Sequence, residues 1–553
     1  MTQTRLRISD VVAEFLDLCG VNTAFGIISV HNAPLMEAIH RRNALRFVMV
    51  RGEMGGAHMA DAYARVTGGL GVLITSTGGG AASAASGLVE ARFAGSPLLH
   101  ITGLTSTAML DRGLGPVHDV PDQLGMLRSV CKAAYRVHSA DSALGILMHA
   151  AAEALTPPMG PVSVEIPIDI QSMLIERPAI FDQFVLPVPA ALKPSPTTID
   201  ALANRVLGAK RPLLWTGGGA RHAGDAVARL ARMGIPVATS WNGRGVLPED
   251  HPLVIGPLAT LPAFERLYEG IDLMLVAGCR LRAHETRDCT MSLPAHRVRI
   301  DVDALANTRS YPAASFVHAD SALALNALAD RLEGRWHVDA SYVSEVECLK
   351  PQAIAAYRST LGIYQDFPDI MRAAMPRDAL WVRDISFHQT TWANRIFPVY
   401  GPRDSIYSVG AAIGTGMPLA IGAALGAPDR KVVALCGDGG FALNLGELWT
   451  AVQEKPDVCF VVMNDKGYGV IRHIQQSTYG ERRFYDDLSG PDLEGLAKVA
   501  GLPYWRVRSI GDELGAHLKA ALRQRGPSLI EVDMEAIGPF TPQHSVPRYG
   551  EKK

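Results

Sequence analysis

The sequence predicts an α/β protein built from three doubly wound parallel-sheet domains, and three observations predict it. Short apolar runs rich in strand formers recur along the chain: GVLITS (71–76), PLLHITG (97–103), PVSVEIP (161–167), PLLWTG (212–217), LMLVAG (273–278), KVVALC (431–436) and VCFVVMN (458–464). Alanine-rich stretches with helical spacing separate them, the alternation that builds parallel sheets covered by helices on both faces. The rhythm breaks twice within 553 residues, a length beyond one ordinary core.

The first domain is placed at 1–180. It opens on MTQTRLRISDVVAEFLDLCG, which has no long apolar core ahead of a small-residue cleavage site and reads as a capped amphipathic helix. A proline-rich, mostly extended stretch, 175–198, reads as a linker. The second domain, 190–340, carries LLWTGGGARHAG and LVAGCRL, a nucleotide-fold pattern whose glycines fit no specific phosphate fingerprint. Residues 334–360 read as irregular, a second boundary, and the third domain covers 360–553.

Composition excludes several classes. Lys plus Arg (53) nearly balances Asp plus Glu (55), so no net charge recruits nucleic acid. The seven cysteines are scattered without a CxxC pair, the usage of a reducing cytosol, and a cytoplasmic location is expected. Residues 405–428, SIYSVGAAIGTGMPLAIGAALGAP, carry no charge over a span long enough for a bilayer. Five glycines, Pro418 and the lack of aromatic and basic flanks argue instead for close backbone approach to a ligand or a second helix.

The chemistry starts at CGDGGFALN (436–444). KVVALC reads as a strand, GDGGF as a tight turn and ALNLGELWTAVQE as a helix, leading into the strand VCFVVMN: one βαβ unit. The turn also fits G-x-G-x-x-A, so the glycines alone favour a nicotinamide-dependent oxidoreductase, with Asp465 imitating the acidic residue that reads a ribose. Asp438 argues against it, because a carboxylate beside a diphosphate repels it unless a cation lies between. Asp465 lies 27 residues further on, after the neighbouring strand, and a right-handed crossover brings both carboxylates to one crevice. Two acidic oxygens, a backbone carbonyl, two phosphate oxygens and a water would complete the octahedron of Mg²⁺. The competing reading is a pair of solvated loop aspartates.

GDG followed at this distance by NDKGYG resembles the thiamine-diphosphate motif of the acetolactate synthase and 2-oxo acid decarboxylase family, which includes benzoylformate decarboxylase-like enzymes. The resemblance covers nearly the whole chain. It implies Asp438, Asp465 and the carbonyl of Gly467 as Mg²⁺ ligands, with Gly439, Gly440, Tyr468 and Gly469 around the diphosphate. MVRGEMGGAHMADAYAR (49–65) matches the family's RHEQGAAHMADGYAR and sets Glu53 at its catalytic glutamate, the group that hydrogen-bonds the cofactor's pyrimidine N1′. SVGAAIGTGMPLAIGA resembles GLGTMGFGLPAAIGA, putting Ile413 where an apolar side chain bends the cofactor into a V and Ala411 in the backbone that holds the pyrimidine. RDISFHQTTW (383–392) resembles DVGQHQ and puts Ser386, Phe387 and His388 near the diphosphate. TSTGGGAASAASGLVEA (75–91) would pack near Glu53.

The same resemblance implies three roles for the domains: pyrimidine-binding, central, and diphosphate- and Mg²⁺-binding. FAD, bound centrally in some relatives, is the less expected cofactor. The first and last domains are expected to meet across a subunit interface, so a homodimer is the minimum and a homotetramer is expected. The implied reaction decarboxylates a 2-oxo acid to an enamine that is protonated to an aldehyde or ligated to a second carbonyl. Departures bear on substrate. IRHIQ sets Ile474 where acetolactate synthases carry a tryptophan, and IPIDI replaces a lysine by Ile168. VHDVPDQ (117–123) offers His118, with Asp119, near the reacting carbon, and His118 stands alone rather than in a histidine pair. Ile471, Ile474 and Tyr479 are expected in an aliphatic, tolerant pocket. Anabolic acetolactate synthesis is the alternative within the family; a catalytically silent binding member is the alternative outside catalysis.

Overall fold

The computed structural model describes residues 5–480 and 482–542. It contains three six-stranded parallel sheets, one per domain. The seven apolar runs read from the sequence are seven of their strands. Val432–Leu435, Val458–Val462 and Val72–Ile74 are fully buried, as strands sandwiched between two helical layers must be.

The order of strands differs informatively between domains. In the first, the sheet reads Arg46–Met49, Thr23–Gly26, Gly71–Thr75, Leu98–Leu104, Pro161–Pro167, Ala133–Arg136. In the last it reads Ser405–Tyr407, Leu380–Arg383, Val432–Gly437, Val458–Asn464, Ser528–Asp533, Tyr504–Val507. Numbered within each sheet, both are 2-1-3-4-6-5. The central sheet runs 3-2-1-4-5-6 from Val254–Gly256 to Ser315–His318, the order of dinucleotide-binding folds. In every case the order reverses beside the domain's first strand, and the crevice at the carboxyl ends there is the natural ligand site.

The first and last domains share one apolar core. Its centre is the packing of helix Glu53–Thr67 on helix Gly416–Gly426, the latter drawn from the uncharged stretch 405–428. A Cβ on Gly422 would fall 2.2 Å from the Met59 carbonyl oxygen, so the two backbones touch where no side chain fits. No helix among the described residues is long and apolar enough to cross a membrane. Residues 334–360, expected to be irregular, hold the helix Ala340–Ser359 with Pro351 inside it. Its apolar face, Tyr342, Val346, Ala353 and Tyr357, packs on the core that joins the central and last domains.

Candidate functional site

The reversal point of the last sheet opens into a cavity of about 830 Å³. Strand Val432–Gly437 passes directly into the short helix Asp438–Leu443, then breaks before helix Glu447–Glu454, where the sequence suggested one turn and one helix. Gly439 and Gly440 line the cavity from this side, and Ser386, Phe387 and His388 line it from beyond the domain's first strand. Ala411 and Ile413 face it from the loop before helix Gly416–Gly426; Asp465, Gly467, Tyr468, Gly469 and Ile471 close it.

The Gly467 N–H donates to Asp438 Oδ2 (3.1 Å), while Asp438 Oδ1 is buried with no partner among the described residues. Burial, then the facing carboxylate of Asp465, push the Asp438 pKa up to about 7. Asp465 is also raised by burial, with Arg472 (3.4 Å) opposing. Two carboxylates share a poorly hydrated site and one oxygen lacks a partner, the condition a divalent cation relieves. No cluster of three or more His, Cys, Asp or Glu poised for a metal exists among the described residues. A cation at this pair would therefore draw its other oxygens from backbone, ligand and water. A Cβ on Gly469 would sit 2.3 Å from Asp465 Oδ2, so a side chain there would displace that carboxylate.

His388 is defined to the level of its proton. Trp392 Nε1 donates to its Nδ1 at 2.9 Å, and an indole can only donate, so the neutral ring carries its hydrogen on Nε2. Burial holds the ring neutral, with its pKa lowered to about 3. Nε2 is buried without a partner among the described residues, and Phe540 stacks on the ring at 4.3 Å. The result is a fixed neutral donor on the cavity wall.

The equivalent crevice of the first domain is built differently. Glu53 is half-buried as the first residue of its helix, with its carboxylate 2.6 Å from where a Gly80 Cβ would lie. The 75–91 segment therefore does pack on Glu53. Its turn is pinned by Gln123, whose Oε1 accepts from Gly78 N (2.5 Å) and Thr77 Oγ1 (3.0 Å); Gln123 donates in turn to Glu165, which pairs with Arg136. The His118 carbonyl abuts Gly78, and His118 and Asp119 are exposed. His118, which stands alone in the sequence, meets the buried ring of His31 edge-on at 5.6 Å. Burial, then His118, lower the His31 pKa.

Within one chain the structure does not bring Glu53 to the wall of the large cavity. Nor does Ile474 line it; the helix Gly469–Tyr479 presents Ile471, Arg472, His473 and Gln476 there, with Ile474 half-buried beside them. Sequence reasoning missed Asp384, Trp392, Arg472 and His31. Asp384 and Trp392 sit inside the quoted RDISFHQTTW, and a carboxylate at a strand's carboxyl end was a usable signal. Arg472 and His31 carried none. The central domain has a smaller cavity of about 180 Å³, walled in part by Gly218, Gly219 and Gly278, His222 and Arg280.

Three family models match this chain in order. They describe the thiamine pyrophosphate enzyme N-terminal TPP-binding domain (residues 6–126), central domain (199–328) and C-terminal TPP-binding domain (384–532). The chain is 31% identical to a Pseudomonas aeruginosa protein named "Probable 2-ketoarginine decarboxylase", over 96% of this chain and 94% of that one. It is 28% identical to the large subunit of acetolactate synthase isozyme 1 of Escherichia coli, covering 97% and 95%. To the chloroplastic acetolactate synthase 2 of Nicotiana tabacum it is 28% identical, covering 95% and 81%.

Proposed function

The chain belongs to the thiamine pyrophosphate enzyme family, and we propose that it is a thiamine-diphosphate- and Mg²⁺-dependent 2-oxo acid decarboxylase or carboligase. The observation that carries the proposal is the Asp438–Asp465 pair, with the orphaned Oδ1 of Asp438, at the glycine-lined wall of a cavity of about 830 Å³ that Asp465 itself lines. When bound, thiamine diphosphate supplies a carbon nucleophile and the electron sink for loss of CO₂. Asp438, Asp465 and the Gly467 carbonyl would hold Mg²⁺. The His388 Nε2–H, with Ser386 and Phe387, would face the diphosphate, and Gly439, Gly440, Tyr468 and Gly469 would surround it. The Ala411 backbone would hold the pyrimidine, with Ile413 wedged beneath.

Glu53 would come from a second subunit, since its own chain does not bring it to the cavity, and would exchange a proton with the pyrimidine N1′. His118 and Asp119 would arrive on the same edge, beside the reacting carbon. A homodimer is then the smallest complete enzyme, and we infer a homotetramer as the resting assembly. Ligation to a second carbonyl is favoured by the similarity to acetolactate synthases. One experiment tests the whole reading: the purified protein is denatured to identify its cofactor, and a 2-oxo acid panel is scored for CO₂, aldehyde and acyloin with wild type and Glu53→Gln. Thiamine diphosphate and Glu53-dependent CO₂ are expected. Release of NAD, or the absence of Glu53-dependent CO₂, would refute the proposal.

A further inference from the structure

The loop 408–415 carries Ala411 and Ile413, and two buried carboxylates hold it, one at each end. At the far end Asp384, from the same domain, accepts from Gly414 N (3.0 Å) and Thr415 N (3.3 Å). At the near end the carboxylate is foreign to the domain. Glu90, on helix Gly79–Ala94 of the first domain, is 1% exposed and accepts from Ser408 Oγ (2.9 Å), Val409 N and Gly410 N (3.0 Å). Arg65 braces it: Nη2 lies 3.6 Å from Glu90 Oε1, Nε donates to Asp61 Oδ1 (2.9 Å) and Nη1 donates to the Tyr407 carbonyl (2.7 Å).

Such a carboxylate is costly to bury unless it is paired and hydrogen-bonded, and here Arg65 pairs with it while its hydrogen bonds all go to three successive residues of one loop. Apolar packing does not fix that loop from above, since Ile413 is 45% exposed. Ala411 and Gly414 stand at positive φ (+68° and +81°), a path that needs holding at both ends. A Cβ on Gly410 would fall 2.8 Å from both Glu90 and Phe93, so the loop approaches this carboxylate as backbone. We propose that Glu90, braced by Arg65 and Asp61, is a positioning residue that sets Ile413 and the Ala411 backbone against the cofactor, from the first domain of the same chain. The inference rests on the role given above to Ile413. Asp61 and Arg65 lie on the helix that begins with Glu53, so one helix serves its own chain's cofactor loop at one end and the partner's pyrimidine at the other.

The test uses the full-length protein as Glu90→Gln, Ile413→Ala and the double variant. The readouts are thiamine diphosphate affinity with Mg²⁺, the near-ultraviolet circular dichroism of bound cofactor, and backbone hydrogen exchange across 405–416 without cofactor. Glutamine keeps the size of Glu90 but loses the charge and one acceptor oxygen. Glu90→Gln is expected to weaken affinity ~10-fold, the scale of lost hydrogen bonds to a charged group, and to diminish the dichroism. It should also speed exchange at Val409 and Gly410 while leaving strand Val432–Gly437 protected. In the Ile413→Ala background it should add less than about twofold, because both act through one loop. An Ile413→Ala variant that binds and reports like wild type would remove the underlying assignment. If Ile413→Ala weakens binding while Glu90→Gln does not, or if the two effects simply multiply, only the Glu90 inference falls. Should Glu90→Gln fail to fold, Arg65→Lys, which keeps the charge and loses the fork, replaces it in the same measurements, with the same results sustaining or overturning the inference.

Discussion

The first and last domains share the strand order 2-1-3-4-6-5, yet their carboxyl-end crevices are opposites. In the last domain the crevice is a walled cavity, closed by the segment after Asp465 and lined by glycines, Asp465 and a neutral imidazole, with Asp438 facing Asp465 from just behind the wall. In the first domain the same crevice lies open. Glu53, the Gly78–Gly80 turn, His31 and His118 are gathered there, and Ile28, Val30 and Val117 stand 56, 65 and 70% exposed beside them. Under the proposed function one copy of the topology would be a complete anchor and the other half of a site. The proposed division follows: the last domain binds the cofactor, and the first delivers the proton chemistry to it from another chain.

The sharpest way to break that division is to remove the anchor. Asp438→Ala should lose metal and thiamine diphosphate together, by more than the ~10–100-fold typical of losing a group that only hydrogen-bonds a metal ligand. Asp465→Asn should retain partial binding, since an amide oxygen still ligates. Cofactor content after gel filtration reads both. Full occupancy in Asp438→Ala would dissolve the distinction between the two crevices.

The next test strikes the half-site. Glu53→Gln should bind cofactor normally and slow exchange of its C2 proton at least ~10²-fold, the lower range for a lost acid–base partner. Quenched-flow NMR in deuterium oxide measures this without knowing the substrate. Mixing Glu53→Gln with Asp438→Ala subunits then asks where the halves meet. A hybrid dimer contains one site with both residues intact, so exchange should reappear on mixing. If it stays absent after demonstrated subunit exchange, each site is built within one chain.

Much of this was legible in the sequence because its signals are local. The strands are continuous apolar runs, and Asp438 and Asp465 sit at fixed distances from strands whose crossover has one hand. The cavity-lining residues Ser386, Phe387, His388, Ala411 and Ile413 came from motif likeness. What stayed hidden depends on long-range contact. His31 reaches His118 across 87 positions, and Glu90 reaches the 408–410 backbone across more than three hundred. No periodicity records either approach. The break between helices Asp438–Leu443 and Glu447–Glu454 was also missed. There Glu447 is drawn into the interface, accepting from the Arg51 and Gly52 amides of the first domain.

A milder perturbation separates stability from chemistry. Gly422→Ala places a methyl against the Met59 backbone and should push helix Gly416–Gly426 off helix Glu53–Thr67. The expected cost is ~1–3 kcal/mol, that of overpacking a filled core, read by denaturant unfolding. Because this contact joins the two domains behind both crevices, cofactor affinity should weaken along with stability. Unchanged unfolding would mean the two domains are not mechanically joined there.

The smallest expected effect concerns substrate size, and the structure redirects it. Sequence likeness singled out Ile474, at a position where acetolactate synthases carry tryptophan, but the cavity wall is formed by Ile471, 41% exposed, one turn earlier on the same helix. An apolar pocket gains ~0.8 kcal/mol per buried methylene, so two or three extra carbons are worth ~10-fold or more in affinity. Branched and aryl 2-oxo acids such as 4-methyl-2-oxopentanoate and benzoylformate should therefore be accepted at least as well as pyruvate. Ile471→Trp, filling that space, should reverse the order by about tenfold in kcat/KM. Ile474→Trp should move it less, because its side chain lies beside the cavity and not on its wall. The comparison of the two variants carries the information. A preference that shifts with Ile474 and ignores Ile471 would mean that the pocket is shaped on the side facing the partner's open crevice, so that specificity, like the proton chemistry, belongs to the half-site and not to the anchor.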